Sequence, residues 1–103
     1  MARRSKDWNK GLAEDLRDLA FAREFLLAAI DEGVSVQRAL GKVVRARGVQ
    51  EFAALVRMAG PNVLRAINPQ HNPTQETLNR LLRPFRLRLS LAPLAQRRSR
   101  SAA

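Results

Sequence analysis

The sequence predicts an all-α fold, a bundle of five helices closed by one short C-terminal β-strand. Three observations predict it. Apolar residues recur at helical spacing through most of the 103 residues. Residues 49–67, VQEFAALVRMAGPNVLRAI, place Phe52, Ala53 and Val56 on one helix face, Met58 in a turn, and Val63, Ala66 and Ile67 on one face of a second helix. That spacing is that of a helix-turn-helix, with the small Ala53 at the crossing of the two helices. Finally, residues 86–91, RLRLSL, alternate strictly, the two-residue period of a strand.

The elements follow in order. Residues 1–17 are read as an N-terminal arm in which the aromatic Trp8 docks on something. A first helix spans Asp18–Glu32, with apolar residues at 21, 22, 25, 26, 29 and 30, Asp18 as cap and Gly33 as stop. Ser35 suits the cap of a second helix that turns Val36, Leu40, Val43 and Val44 inward and closes at Gly48. The third and fourth helices form the motif above. Asn68–Thr74, NPQHNPT, has the residues of a loop. Thr74 or Asn72 caps a fifth helix burying Leu78, Leu81, Leu82 and Phe85, with Pro84 near its end. No second strand candidate exists, so the strand, with Leu87, Leu89 and Leu91, is expected to pair with a second copy in a homodimer; otherwise it packs Leu87 and Leu89 on the bundle as an extended tail. Residues 18–94 thus form one domain, and residues 95–103 a disordered basic tail.

Charge is divided unevenly. Residues 1–32 carry six basic and seven acidic side chains; residues 33–103 carry thirteen basic and only two acidic ones, Glu51 and Glu76. The net charge of +10 therefore belongs to the half that holds the motif, which favours a polyanion. The chain has no Cys, no apolar run long enough for a membrane span, and no apolar stretch after its basic start of the kind a secretory signal needs, so a cytoplasmic protein is expected.

Little points to catalysis, a cofactor or a metal. The single His71 sits in the polar loop without a second His or a Cys. The serines lie in no nucleophile elbow, and Gly-rich phosphate loops are missing. The pair Asp31-Glu32 reads as two solvated carboxylates at a helix end. In the fourth helix, Pro61, Arg65 and Asn68 fall opposite the buried face, flanked by Asn62 and Leu64. Arg65 suits a guanine edge or a phosphate, Asn62 an adenine, and Leu64 a thymine methyl. Gly60 and Pro61 let the helix start approach a phosphate.

The order of these parts resembles a known family. An acidic amphipathic helix, a helix ending RARG, a helix-turn-helix, a loop N-P-x-H-N-P-T, a helix T-x-x-x-L-x-x-L-L and a terminal F-x-L-R-L-S-L-A-P together cover about residues 7–94. They are similar to the HigA-like addiction-module antidotes, antitoxins with a λ-repressor-like (Cro/repressor-type) helix-turn-helix. The resemblance implies a DNA-binding domain, commonly dimeric, that binds the promoter of its own operon; in a homodimer two recognition helices about 34 Å apart are expected to read an inverted repeat in that operator. It also implies silencing of a small RelE/ParE-like ribonuclease toxin. Gly60, Pro61, Asn62 and Arg65 match the DNA-facing part of that motif. The family carries Gly in the turn where this chain has Arg57; Gly is expected to close the fifth helix where it has Arg86; and related chains often open the first helix with Pro where it has Leu19. A stand-alone repressor without a toxin, and a module whose basic face meets an acidic protein, are the alternatives. Since ribonuclease active faces are basic, the acid-rich segment before Gly33 is the expected toxin-binding side, with Trp8, Leu12 and Leu16 as apolar anchors.

Overall fold

A computed structural model describes residues 11–94. After a helical segment at 11–15 come five α-helices: α1 (Leu19–Asp31), α2 (Val36–Arg47), α3 (Val49–Val56), α4 (Gly60–Ile67) and α5 (Gln75–Leu82). A 3-10 turn, Arg83–Phe85, follows. The described chain is all-α.

Local chemistry sets these boundaries. Asp18 Oδ1 accepts from the Ala20 N–H at 2.9 Å, Ser35 Oγ from Arg38 at 3.2 Å, and Thr74 Oγ1 from Thr77 at 3.1 Å. Each satisfies an N–H that the first helical turn leaves without a partner. Gly48, at φ 103°, both ends α2 and starts α3, so one residue makes the corner between them. At Pro84 the helical path tightens, because proline cannot donate to the carbonyl four residues back and its ring collides with it.

Three helix ends close in the same way. The N–H groups of Val34, Met58 and Leu87 bond to the carbonyls of Ala29, Ala53 and Leu82. Those of Gly33, Arg57 and Arg86 bond to Ile30, Ala54 and Arg83. This paired pattern needs a left-handed residue at the bend. Glycine fills it once (Gly33, φ 91°); arginine fills it twice (Arg57, φ 57°; Arg86, φ 59°). The two positions where a glycine is expected from sequence do adopt the backbone that glycine favours.

The core is formed by Leu16, Leu26, Leu40, Val43, Val44, Phe52, Val56, Val63, Ile67, Leu81, Leu82 and Phe85, with Ala22, Ala39, Ala53 and Ala66 buried among them. α1 packs on α2 and on the 3-10 turn; α2 also meets α3 and α4; α5 meets α4. Phe52 and Phe85 stack with ring centroids 6.2 Å apart, joining α3 to the C-terminal turn.

Two expectations are corrected. Residues 86–91 form no strand among the described residues. With no strand among the described residues to pair with, Leu87 and Leu89 pack against the core instead. Leu89 gives its N–H to Asn79 Oδ1 (2.6 Å) and takes a bond from Gln75 Nε2 at its carbonyl (3.0 Å). Residues i and i+4 of α5 thereby stand in for a neighbouring strand. The described part of the expected arm, residues 11–17, is docked on the bundle. Leu16 is only 2% exposed within the core, and Leu12 packs beside it. Arg17 bonds the Arg47 carbonyl (3.1 Å) and Glu51 (3.0 Å), and Arg47 returns a bond to the Arg17 carbonyl. Residues 1–10 and 95–103, with Trp8 and the expected tail, lie outside the described residues.

Two outcomes follow for stability. Leu16→Ala is expected to cost about 2–5 kcal/mol in urea denaturation, the range for a buried leucine; a value near zero would mean that the segment does not belong to the core. Arg86→Gly is expected to raise stability by about 1 kcal/mol, because glycine carries no Cβ penalty in the left-handed region.

Candidate nucleic-acid interface

α4 is only eight residues long, and what surrounds it fixes its position. Val63, Ala66 and Ile67 are buried against α2, α3 and α5. Pro61, Asn62, Leu64 and Arg65 form the opposite, exposed face, with Leu64 at 46% exposure. The turn Arg57–Ala59 sets α4 against α3, and half-buried Met58 fills it.

The far end of α4 is held from α2. Gln37 Nε2 lies 2.9 Å from the Ala66 carbonyl, 2.9 Å from that of Asn68 and 3.1 Å from that of His71. The two N–H groups of a single carboxamide are thus shared among the Ala66 carbonyl in the last turn of α4, that of Asn68, which also accepts from the His71 N–H, and that of His71 in the loop. The other end of the α3–α4 unit is held from α5. Arg80 Nε donates to the Val56 carbonyl at 3.2 Å and Arg80 Nη2 to that of Arg57 at 2.8 Å. A cation at a helix C-terminus also meets the negative end of the helix dipole.

These contacts separate the sequence-predicted residues. Pro61, Asn62, Leu64 and Arg65 are brought together on one exposed face. Asn68 is different: it caps α4, is half-buried, and its Oδ1 accepts from the Gln70 N–H at 2.9 Å, an Asx turn that shapes the loop. Gly60 is the first helical residue, without a positive φ. A Cβ built there would meet Gln50 and Val49 at ordinary contact distances of 3.7 and 3.8 Å. A small side chain would therefore fit there without backbone strain. Leu87 and Leu89, two of the expected seam residues, face the bundle, whereas Leu91 is 96% exposed. Of the expected partner anchors, Leu16 is core, Leu12 is half-buried, and Trp8 lies outside the described residues.

The exposed face of α4 borders a groove that Asn62 and Arg65 share with His71, Asn72, Thr77 and Arg80. A second groove, beside the C-terminus of α3, is lined by Leu55, Arg57, Arg80, Arg83 and Pro84. No carboxylate lines either one. Glu51, one of the two acidic residues after residue 32, is held by Arg17 and Arg47, each at 3.0 Å. Sequence reasoning missed Arg80 and Arg83, since only the fold brings α5 beside the turn. It marked Arg57 solely as a departure from glycine.

No protein-family model, curated protein or solved structure matches this chain. Among the described residues, no helix is long and apolar enough to cross a membrane. No group of three or more His, Cys, Asp or Glu there is placed to hold a metal ion.

Replacing Gln37 tests the clamp on α4. Gln37→Ala takes the side-chain donor from the half-buried Ala66 carbonyl, while that of Asn68 keeps the His71 N–H, and is expected to cost about 1–3 kcal/mol in chemical denaturation. Gln37→Glu, of the same shape but presenting a carboxylate to carbonyl oxygens at neutral pH, is expected to cost more than Gln37→Ala. Equal stability of all three proteins would show that the clamp contributes nothing.

Proposed function

We propose that this chain is a sequence-specific DNA-binding protein in which α3 and α4 act as a λ-repressor-like helix-turn-helix and α4 enters the major groove. The observation that supports this most is the outward face of α4. It offers Asn62 and Arg65 as hydrogen-bonding groups and Leu64 as an apolar contact, on a short helix clamped at both ends of its unit. Arg65 reads a guanine through two parallel hydrogen bonds, and Asn62 reads an adenine. The basic surroundings supply the phosphate attraction common to all sequences.

On this reading two copies associate about a two-fold axis and set their α4 helices about 34 Å apart, one turn of duplex. Leu91 and Leu94, at 96% and 80% exposure, support a seam in the segment after the 3-10 turn. The inward side of that segment is already occupied at Leu89. An antitoxin role rests on the resemblance to HigA-like antidotes. It assigns the partner, a basic ribonuclease toxin, to the acidic side of the molecule. There Glu14, Asp15, Asp18, Glu24, Asp31 and Glu32 are all exposed, and α1 also exposes Phe21, Leu27 and Ile30. These three replace Leu16 as apolar anchors.

The DNA reading is tested by selecting a preferred duplex from a random pool and titrating it, and a scrambled duplex, with wild type and Arg65→Ala. A loss of about 1–3 kcal/mol on the selected duplex alone is expected; unchanged affinity on both removes Arg65 from the interface. The antitoxin role is tested by co-expression with the product of the adjoining reading frame. Co-purification and rescue of growth are expected, and failure of both leaves a repressor without a toxin. In sedimentation, Leu91→Asp is expected to shift a dimer to monomer; a wild-type monomer at working concentration refutes the seam.

A further inference from the structure

Arg57 stands in the left-handed region at φ 57° and ψ 50°, where a side chain carries a steric cost that glycine avoids. Such outliers gather where a protein needs a particular side chain at a particular place. What surrounds Arg57 is positive. Arg80 reaches across from α5 and bonds both the Val56 and Arg57 carbonyls, which fixes its guanidinium beside the turn. Two of the five N–H donors of Arg80 are used there, and three remain for another acceptor. Arg83, three residues further on, lines the same groove.

All three arginines are exposed, and no carboxylate lines the groove they share. Among the described residues, the ion pairs join Arg17 and Arg47 to Glu51 and leave these three arginines out. Three cations held together without a counter-charge repel one another, and an arriving anion relieves that repulsion. The shape of the surface says which kind. Arg80 also lines the neighbouring groove with Asn62, Arg65 and His71. Arg80 therefore borders both grooves, and basic side chains line a path from Arg65 on the exposed face of α4, past Arg80, to Arg83 in the 3-10 turn. A path of this kind fits a chain of phosphates better than a single small anion.

We infer that Arg57, Arg80 and Arg83 form a phosphodiester track that grips the DNA strand flanking the site read by α4. The inference rests on the proposal that α4 faces DNA. The track carries no sequence information, because phosphates are alike at every base pair. It sets the register and angle at which α4 enters the groove, and it adds affinity that falls with salt. The guanidinium forks match phosphate oxygens in a way that lysine does not. The strained conformation of Arg57 is then the cost of placing a cation at the tip of the turn.

The test compares wild type, Arg57→Gly, Arg83→Ala and Arg86→Gly. Arg80 is left intact because it also caps α3. Arg86→Gly is the control: it removes an arginine from a left-handed position with the same change of charge, but Arg86 lines neither groove. Binding to a selected and a scrambled duplex is followed by fluorescence anisotropy from about 0.05 to about 0.3 M salt. Arg57→Gly and Arg83→Ala are each expected to weaken binding on both duplexes, on the order of tenfold at about 0.1 M salt, and to flatten the salt slope by about 0.9. Arg57→Gly should do so while becoming more resistant to urea, which separates lost contact from lost fold. If these two variants behave as Arg86→Gly does while Arg65→Ala still loses the selected duplex, the track is overturned and the reading of α4 stands. A loss confined to the selected duplex would make Arg57 a base reader and also overturn the track. If wild type binds neither duplex, both proposals fall together.

Discussion

The placement of α4 depends on one carboxamide. Gln37 reaches from α2 to the carbonyls of Ala66, Asn68 and His71, where the helix stops and the loop begins. An eight-residue helix has little stability of its own, since most of its backbone groups lie in its first and last turns. It persists because its inner face is buried and its open end is supplied with a donor. The loop leaving that end leads directly to α5, whose Arg80 returns to the C-terminus of α3. Gln37 and Arg80 thus close a ring of contacts around α3, α4 and the turn between them. Both bond to backbone carbonyls, so the ring does not depend on which side chains α4 presents outward. The outward side chains of α4 can therefore vary without loss of the fold.

Much of this was legible in the sequence. Asp18, Ser35 and Thr74 announced three helix starts because a short side-chain oxygen before an apolar period has one good use. Gly33 and Gly48 announced helix ends, and the apolar spacing of residues 49–67 gave the buried faces of α3 and α4. The division of α4 into an inner and an outer face was equally readable, since it needs only the helical period. The same period misled at Asn68, which leaves the helix at its cap and turns its side chain into the loop.

What stayed hidden depends on contacts between distant residues. RLRLSL has the period of a strand, but period alone does not say what satisfies the backbone. Here Gln75 and Asn79, ten and more residues earlier, do so from a helix. Leu16 lies in a segment that reads as an arm because its charges are mixed and its apolar residues few, yet the Arg17–Arg47–Glu51 contacts hold it down. Arg80 in α5 and Arg83 in the 3-10 turn carry no signal in the sequence. Only the tertiary fold brings them beside Arg57.

The docked segment after the 3-10 turn has a consequence for exchange of backbone amides with solvent. The amides of Leu87 and Leu89 are bonded, to the Leu82 carbonyl and to Asn79. Among the described residues, those of Arg88 and Ser90 have no such partner. Slow and fast amides are therefore expected to alternate along these four residues, the signature that an edge strand leaves in deuterium uptake. A helix surface produces it here without any sheet. The two slow amides also report on different things: that of Leu87 on the closure of the 3-10 turn, and that of Leu89 on the docking of the segment against α5. Release of the segment from α5 would quicken the second and spare the first.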